Sequence, residues 1–348
     1  MHFDALRQYI YSMTDSLNNL STHHVIFDTD PGVDDAMALC FAMAHPRIEL
    51  LGITTVFGNV TVPQATANAL YLTQLAGRKI AIAQGAAKPW VKHAEAPPDF
   101  IHGADGLGNL STRVAATGAK ADTRSAAQFI VDTARAQPGK ITLVPVGPLT
   151  NIAAALALEP KLPQLIKSVV LMGGAVRVGG NVSPVAEANI WNDPHAADAV
   201  FTAGFDLTIV GLDVTYEVVV PLSLFEKIAA HHKHPLTDAL LHAVRFYSAF
   251  YATRYPDLKA KPGCFGHDVL AFIALLYPEL FSFMQGRLRC VSQGIAQGQT
   301  ILHDRLDIAY PQSGFGAEVP LSQAAMTVNV PAVMSVFEDA LMSAWLTH

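Results

Sequence analysis

Val25-Ile26-Phe27-Asp28-Thr29-Asp30-Pro31-Gly32-Val33-Asp34-Asp35-Ala36 is the stretch on which the reading of this chain turns. Val25 to Asp28 is a short apolar run that reads as a buried strand, and Asp35 to Ala44 is apolar over a length that suits a helix. Four carboxylates, on Asp28, Asp30, Asp34 and Asp35, crowd the junction between them. Such charges repel one another. Open α/β sheets bind ligands beyond the carboxyl ends of their strands, and a hard cation held by oxygen donors would relieve the repulsion there. The plainer alternative is that Asp34 and Asp35 complement the helix dipole while Asp28 and Asp30 are solvated turn residues. The spacing begins like an EF-hand loop, but Gly32 stands at the fifth position and Leu39, not a bidentate Glu, at the twelfth. An aspartyl phosphotransferase would need a hydroxyl soon after Asp28 and Asp30, and a lysine further on to hold the phosphate. Here Pro31 and Gly32 follow at once.

Outward from this junction, apolar β-branched segments alternate with longer Ala-rich segments, the pattern of parallel strands joined by crossover helices. Further strands are predicted at Leu50–Val56, Ile80–Ala83, Ile141–Val146, Val169–Met172 and Leu207–Val210. Helices are predicted at Pro63–Leu75, Ser125–Ala136, Asn151–Leu158 and Pro194–Ala203, the last with Asp193 as its N-cap. Lys88 to Thr123 is irregular, rich in Pro and Gly, and long enough to suggest a functional loop. After Val214 helices dominate (Leu236–Phe250, Val269–Leu276), followed by short β-like pieces and a final helix, Val333–Trp345. With no polar linker or repeat, the expectation is a single α/β domain with a mostly parallel central sheet flanked by helices.

The composition narrows the function. The 348 residues are 51% hydrophobic and only 15% charged, which fits a globule with a large core rather than a disordered or coiled-coil chain. A net charge of −6 gives nucleic acids and anionic membranes no electrostatic reason to bind. Apolar runs such as Ala36 to Ala44 fall short of the roughly 20 residues that span a bilayer. Met1 to Asn19 lacks the pattern of a secretory signal, so a cytoplasmic location is expected. Cys40, Cys264 and Cys290, odd in number and widely spaced, read as reduced packing residues.

At this point several blocks, taken together, resemble the inosine-uridine nucleoside hydrolases. Asp28 to Asp35 resembles the family's N-terminal motif, and Val144-Pro145-Val146-Gly147-Pro148-Leu149-Thr150-Asn151 its strand-to-helix segment. Leu171-Met172-Gly173-Gly174 resembles the next strand end. Asn181, Glu187 and Asn189 resemble the sugar-binding loop, and His267-Asp268 the late His-Asp pair. The resemblance runs from about Val25 to the C-terminus, implying a Rossmann-like nucleoside hydrolase domain over 23–348 preceded by an extension over 1–22.

The resemblance implies a Ca²⁺ site made of Asp30, Asp35, the main-chain carbonyl of Val146, and Asp268, an all-oxygen set that suits calcium better than zinc. It further implies ribose and substrate contacts from Asp34, Asn59, Met172, Asn181, Glu187 and Asn189, with His102, Tyr247 and Tyr251 near the nucleobase. Asp30 is the implied general base toward water, and His267 the group that serves the departing base. Read alone, His102 is a histidine in a glycine-rich loop, more often an exposed bystander, and the tyrosines are ordinary helix-spaced core. The implied reaction is calcium-dependent hydrolysis of ribonucleosides by a homodimer or homotetramer, in nucleoside salvage or catabolism. Purine-specific relatives usually carry Trp where His267 stands, which favours inosine-uridine or pyrimidine preference. A phosphohydrolase using Asp28, and a nucleoside-binding protein without turnover, are the competing readings; intact Asp30 and His267 speak against the second.

Overall fold

Strand β1 (His23–Thr29) is followed by helix α1 (Val33–Ala44), as the deciding stretch predicts. The computed structural model describes residues 21–111, 120–308, 310 and 313–346. In chain order come β2 (Ile48–Thr55), α2 (Val62–Leu75), β3 (Ile82–Gln84), α3 (Asp99–His102), α4 (Ala126–Ala136), β4 (Ile141–Pro145) and α5 (Thr150–Leu158). Then follow β5 (Ser168–Met172), α6 (Ala188–Asn192), α7 (Pro194–Phe201), β6 (Leu207–Val210), α8 (Leu212–Thr215) and β7 (Val219–Pro221). The C-terminal part holds α9 (Leu222–His232), α10 (Pro235–Arg254), β8 (Gly263–Phe265), α11 (Val269–Leu276), β9 (Phe281–Cys290), β10 (Thr300–His303), β11 (Leu321–Val328) and α12 (Val330–Met342).

Nine strands form one sheet in the order β10-β9-β11-β6-β5-β4-β1-β2-β3, while β7 and β8 pair separately. From β3 to β11 neighbouring strands are parallel, and β9 and β10 add an antiparallel edge. The β3-β2-β1-β4-β5-β6 portion reverses direction of winding between β1 and β4, and that reversal opens a crevice at the strand ends. Burial on both faces explains why the middle of β1, Val25 to Phe27, is a continuous apolar run. Val25 and Phe27 face a core shared with α1, α10, α11 and α12, whereas Ile26 faces the opposite core shared with α4, α5 and α7. Phe27 meets Phe272 of α11 at 5.0 Å between ring centroids, so both flanks of the future site rest on buried aromatic packing.

Asp193 caps α7 by accepting from the Ala196 N–H, as predicted. All three cysteines are free and buried. The sequence reading placed the last helix over Val333–Trp345. It starts earlier, at Val330, because Asn329 accepts from the Ala332 N–H and Pro331 fits the first turn, and it ends at Met342. Helix α9 was not anticipated, and the β-like pieces are the long strands β9 and β11 that extend the main sheet. Nearly all of the proposed 1–22 extension lies outside the described residues. No described helix is long and apolar enough to cross a membrane.

Candidate active site

The crevice between β1 and β4 is where the carboxylates gather. Asp28 lies near the end of β1 and Asp30 just beyond it, Asp34 and Asp35 form the first turn of α1, and Asp268 arrives from the N-cap of α11. All five are buried. One oxygen from each of Asp34, Asp35 and Asp268 can be chosen so that the three lie within 4.8 Å of one another. Asp30 stands just outside that trio. Gly58 and Gly147 cradle its carboxylate: a Cβ at Gly147 would lie 2.6 Å from Asp30 Oδ1, and one at Gly58, whose φ is +156°, would overlap Oδ2.

Hydrogen bonds account for some of these oxygens and leave others bare. Asp35 is held in place by four donors, accepting from Thr29 Oγ1 at 2.5 Å, Gly32 N at 2.9 Å, Asn59 Nδ2 at 2.9 Å and Asp30 N at 3.2 Å. The Gly32 bond closes the start of α1. Asp28 Oδ1 accepts from Thr54 Oγ1 at 2.5 Å and Asn151 Nδ2 at 2.7 Å. Asp30 Oδ2 accepts from the Asn59 N–H at 2.6 Å, and Asp34 Oδ2 from the Tyr247 hydroxyl at 3.2 Å. Asp28 Oδ2, Asp30 Oδ1, Asp34 Oδ1 and Asp268 Oδ2 have no hydrogen-bond partner among the described residues. The bare oxygens of Asp30, Asp34 and Asp268 belong to carboxylates that repel one another, a cost that a cation would offset.

The electrostatics agree. Burial first, then neighbouring carboxylates, holds Asp30 and Asp268 well above the usual carboxylate range. Burial lifts Asp28 to about 7 and Asp34 to about 6. Among the described residues, the only Lys, Arg or His within ion-pair distance of these five is His102, whose Nδ1 lies 3.9 Å from Asp34 Oδ1. Burial depresses His102 to about 4, so it is neutral near pH 7 and brings no compensating charge. The donor set therefore fits a hard divalent ion: every available group is an oxygen, and several are unused.

Around the carboxylates the structure brings together most of the predicted contacts. Asn189 Nδ2 donates to the Val146 carbonyl at 2.8 Å and to the Met172 carbonyl at 3.2 Å, tying α6 to the ends of β4 and β5. Glu187 is buried and caps α6, accepting from Gly174 N, Asn189 N and Ile190 N. Asn181 lies apart: it is exposed, and its side chain accepts from the Ala188 N–H at 2.9 Å. His102, which its loop context alone would leave exposed, is buried. It accepts from the Val33 N–H at 3.2 Å and stacks on Tyr247 at 5.2 Å. Gly32 makes room for it, since a Cβ there would stand 2.6 Å from His102 Nδ1.

His267 is buried, and burial lowers it to about 3, so its imidazole is neutral. Its Nε2 lies 3.0 Å from Tyr251 Oη, which lies 3.1 Å from Tyr247 Oη. Its Nδ1 lies 2.8 Å from Thr215 Oγ1. Phe265 and Tyr216 flank the ring at centroid distances of 5.6 and 5.8 Å. The sequence reading missed Thr54, Asn151 and Thr215. Asn151 closes the Val144–Asn151 segment, but its partner Asp28 is 123 residues away, and Thr215 gives no signal because 52 residues separate it from His267.

This architecture is that of a nucleoside hydrolase, and comparison with known proteins agrees with it. The sequence profile of the inosine-uridine preferring nucleoside hydrolases matches residues 25–336, and the chain belongs to that family. It is 39% identical over 320 residues to a probable uridine nucleosidase from Arabidopsis thaliana, covering 91% of this chain and 97% of the relative. It is 41% identical over 291 residues to an inosine-uridine preferring nucleoside hydrolase from Leishmania major, covering 83% and 88%. A solved plant nucleoside hydrolase superposes with a TM-score of 0.85 at 33% identity, over 92% of this chain and 99% of the other. A purine-preferring ribonucleoside hydrolase from Gardnerella vaginalis gives 0.83 at 33% identity, over 92% and 98%. The protein is thus a hydrolase of N-glycosyl bonds in nucleosides.

Proposed function

We propose that this chain hydrolyses ribonucleosides such as uridine and inosine to ribose and free base, using a calcium ion held by Asp30, Asp35, the Val146 carbonyl and Asp268. The convergence of partnerless buried carboxylate oxygens at the β1–β4 crevice carries this reading. A bound calcium ion supplies positive charge that orients the attacking water and the ribose hydroxyls. Asp30, with Oδ1 free, accepts the proton of that water as its oxygen bonds to C1′. The C1′–N bond breaks and its electron pair leaves with the base, so C1′ carries oxocarbenium character in the transition state. Asp34 Oδ1, Asn59 and Asn189 hold the ribose hydroxyls, letting remote binding energy favour the distorted ring. Glu187 and Met172 complete the sugar side, and His102 with Tyr247 closes over the nucleoside and excludes water. His267, neutral and joined to Tyr251, donates a hydrogen bond toward the departing base.

The reading includes a cytoplasmic homodimer or homotetramer serving nucleoside salvage or catabolism, built on residues 23–348 with 1–22 as an extension. Uridine, inosine and a phosphomonoester are incubated with calcium-loaded protein, and reducing sugar, free base and phosphate are assayed. Base and ribose in equal amounts, lost on chelation and restored by calcium, are expected. Release of phosphate alone, or no turnover of any nucleoside by protein that binds calcium, would overturn the proposal.

A further inference from the structure

The hydrogen bonds around His267 have a direction that follows from the one member that can only accept. Tyr247 Oη donates to the Asp34 carboxylate, which spends its single hydrogen. At the next contact Tyr247 must then accept, so Tyr251 Oη is the donor across 3.1 Å. Tyr251 has now spent its own hydrogen and accepts from His267, so the imidazole carries a proton on Nε2. Both ring nitrogens meet hydroxyls and no carboxylate touches either among the described residues, so no anion holds a second proton on the ring. Nδ1 is therefore bare and accepts from the Thr215 hydroxyl across 2.8 Å. Thr215 is fully buried at the end of α8, and Phe265 and Tyr216 hold the ring between them.

We propose that Thr215 is a positioning residue: its hydroxyl, donating to Nδ1, fixes His267 in the tautomer that presents Nε2–H to Tyr251 and the substrate side. The catalytic consequence rests on the reading that His267 serves the departing base. In the other tautomer Nε2 would carry a lone pair and have no hydrogen to turn from Tyr251 to the leaving base. A wrong tautomer disables a histidine without moving it.

The test compares Thr215→Val, which keeps the shape and removes the hydroxyl, with Thr215→Ser, which keeps the donor. Uridine and a p-nitrophenyl riboside, whose leaving group needs no proton, are the two substrates. Thr215→Val should lower kcat on uridine by about 10- to 100-fold, the range for partners that orient a functional histidine. The p-nitrophenyl substrate should change by no more than about twofold, and Thr215→Ser should regain most of the uridine activity. Equal losses on both substrates, or none on either, would overturn the role. Nitrogen-15 NMR of the imidazole, assigned by the signal missing in His267→Ala, should show the Nε2–H form in the parent protein and a mixture in Thr215→Val. A parent Nδ1–H form would overturn the proposal even if kinetics changed. Unchanged uridine turnover in His267→Ala would instead overturn the leaving-group reading, and the NMR result would still decide the tautomer.

Discussion

Asp268 has one carboxylate oxygen without a partner and lies in the trio with Asp34 and Asp35, so its charge is repelled by the same neighbours that would share a cation with it. Asp268→Ala should lose most of the bound calcium, measured by elemental analysis of purified protein. Without metal the variant should melt no lower than the parent, because a buried like charge has gone. Stoichiometric calcium in the variant would remove Asp268 from the ligand set. Asp30 differs in having Oδ1 open and Oδ2 fixed by the Asn59 N–H. Asp30→Asn keeps the shape but cannot take a proton, so kcat on uridine at saturating calcium should fall about 10²- to 10⁴-fold. Turnover near the parent value would show that another group acts as the base.

Helix α1 joins the carboxylates at its N-terminus to the His102 segment through Gly32, and the fit there is one of space. Gly32 has φ −92°, which any residue adopts, yet an added methyl would lie 2.6 Å from His102 Nδ1 and 2.9 Å from Asn59 Nδ2. Gly32→Ala should push the His102 segment off Tyr247 at a cost of about 1–3 kcal/mol in stability, as overpacking does. Its kcat/KM on uridine should fall about tenfold, and unchanged kinetics would separate His102 from the closed site. The central strands β1, β4 and β5 were legible because burial on both faces leaves continuous apolar runs. Strand β9 was not, because Gln285, Arg287 and Arg289 interrupt it with polar side chains on its half-exposed face. Helix α9 follows Pro221 directly and ends in His231 and His232, which masks its apolar face. The carboxylates stood out by density within eight residues. Thr54, Asn151 and Thr215 could not, since hydrogen bonds across 26, 123 and 52 residues exist only once the sheet has formed.

Across the whole molecule, α1 spans from the carboxylate crevice to the opposite end of the sheet, and its two ends respond to pH in opposite senses. At the crevice, burial raises Asp28 to about 7 and Asp34 to about 6, so their contribution is present below about 3.8, the unfolded value, and lost as pH rises through the folded ones. At the far end His45 caps α1. Its Nδ1 accepts from the Arg47 N–H at 3.3 Å, which places the proton on Nε2 and makes that nitrogen the donor to Tyr277 Oη at 3.1 Å. Arg47 in turn donates to the Leu276 carbonyl at 3.1 Å, and Arg78 to the Met43 and Trp345 carbonyls at 3.2 and 3.4 Å, so this end is a clamp between α1, α11 and the C-terminal segment. Burial, then the charge of Arg47, lowers His45 from 6.5 to about 4. A depressed histidine binds fewer protons folded than unfolded between those values, so its contribution is complete above 6.5 and lost as pH falls toward 4. The shift corresponds to about 3 kcal/mol at most for a group this buried. His45→Phe fills a similar volume against Phe41 and cannot titrate. It should be less stable than the parent near pH 8, having lost the Tyr277 and Arg47 bonds, and the gap should narrow steadily as pH is lowered from about 6.5 to about 4.5. Melting curves of both proteins with calcium held saturating keep the crevice contribution common to both and leave His45 in the difference. A gap that is constant with pH would mean that His45 titrates alike in the folded and unfolded chains, and the clamp would then be neutral to acid.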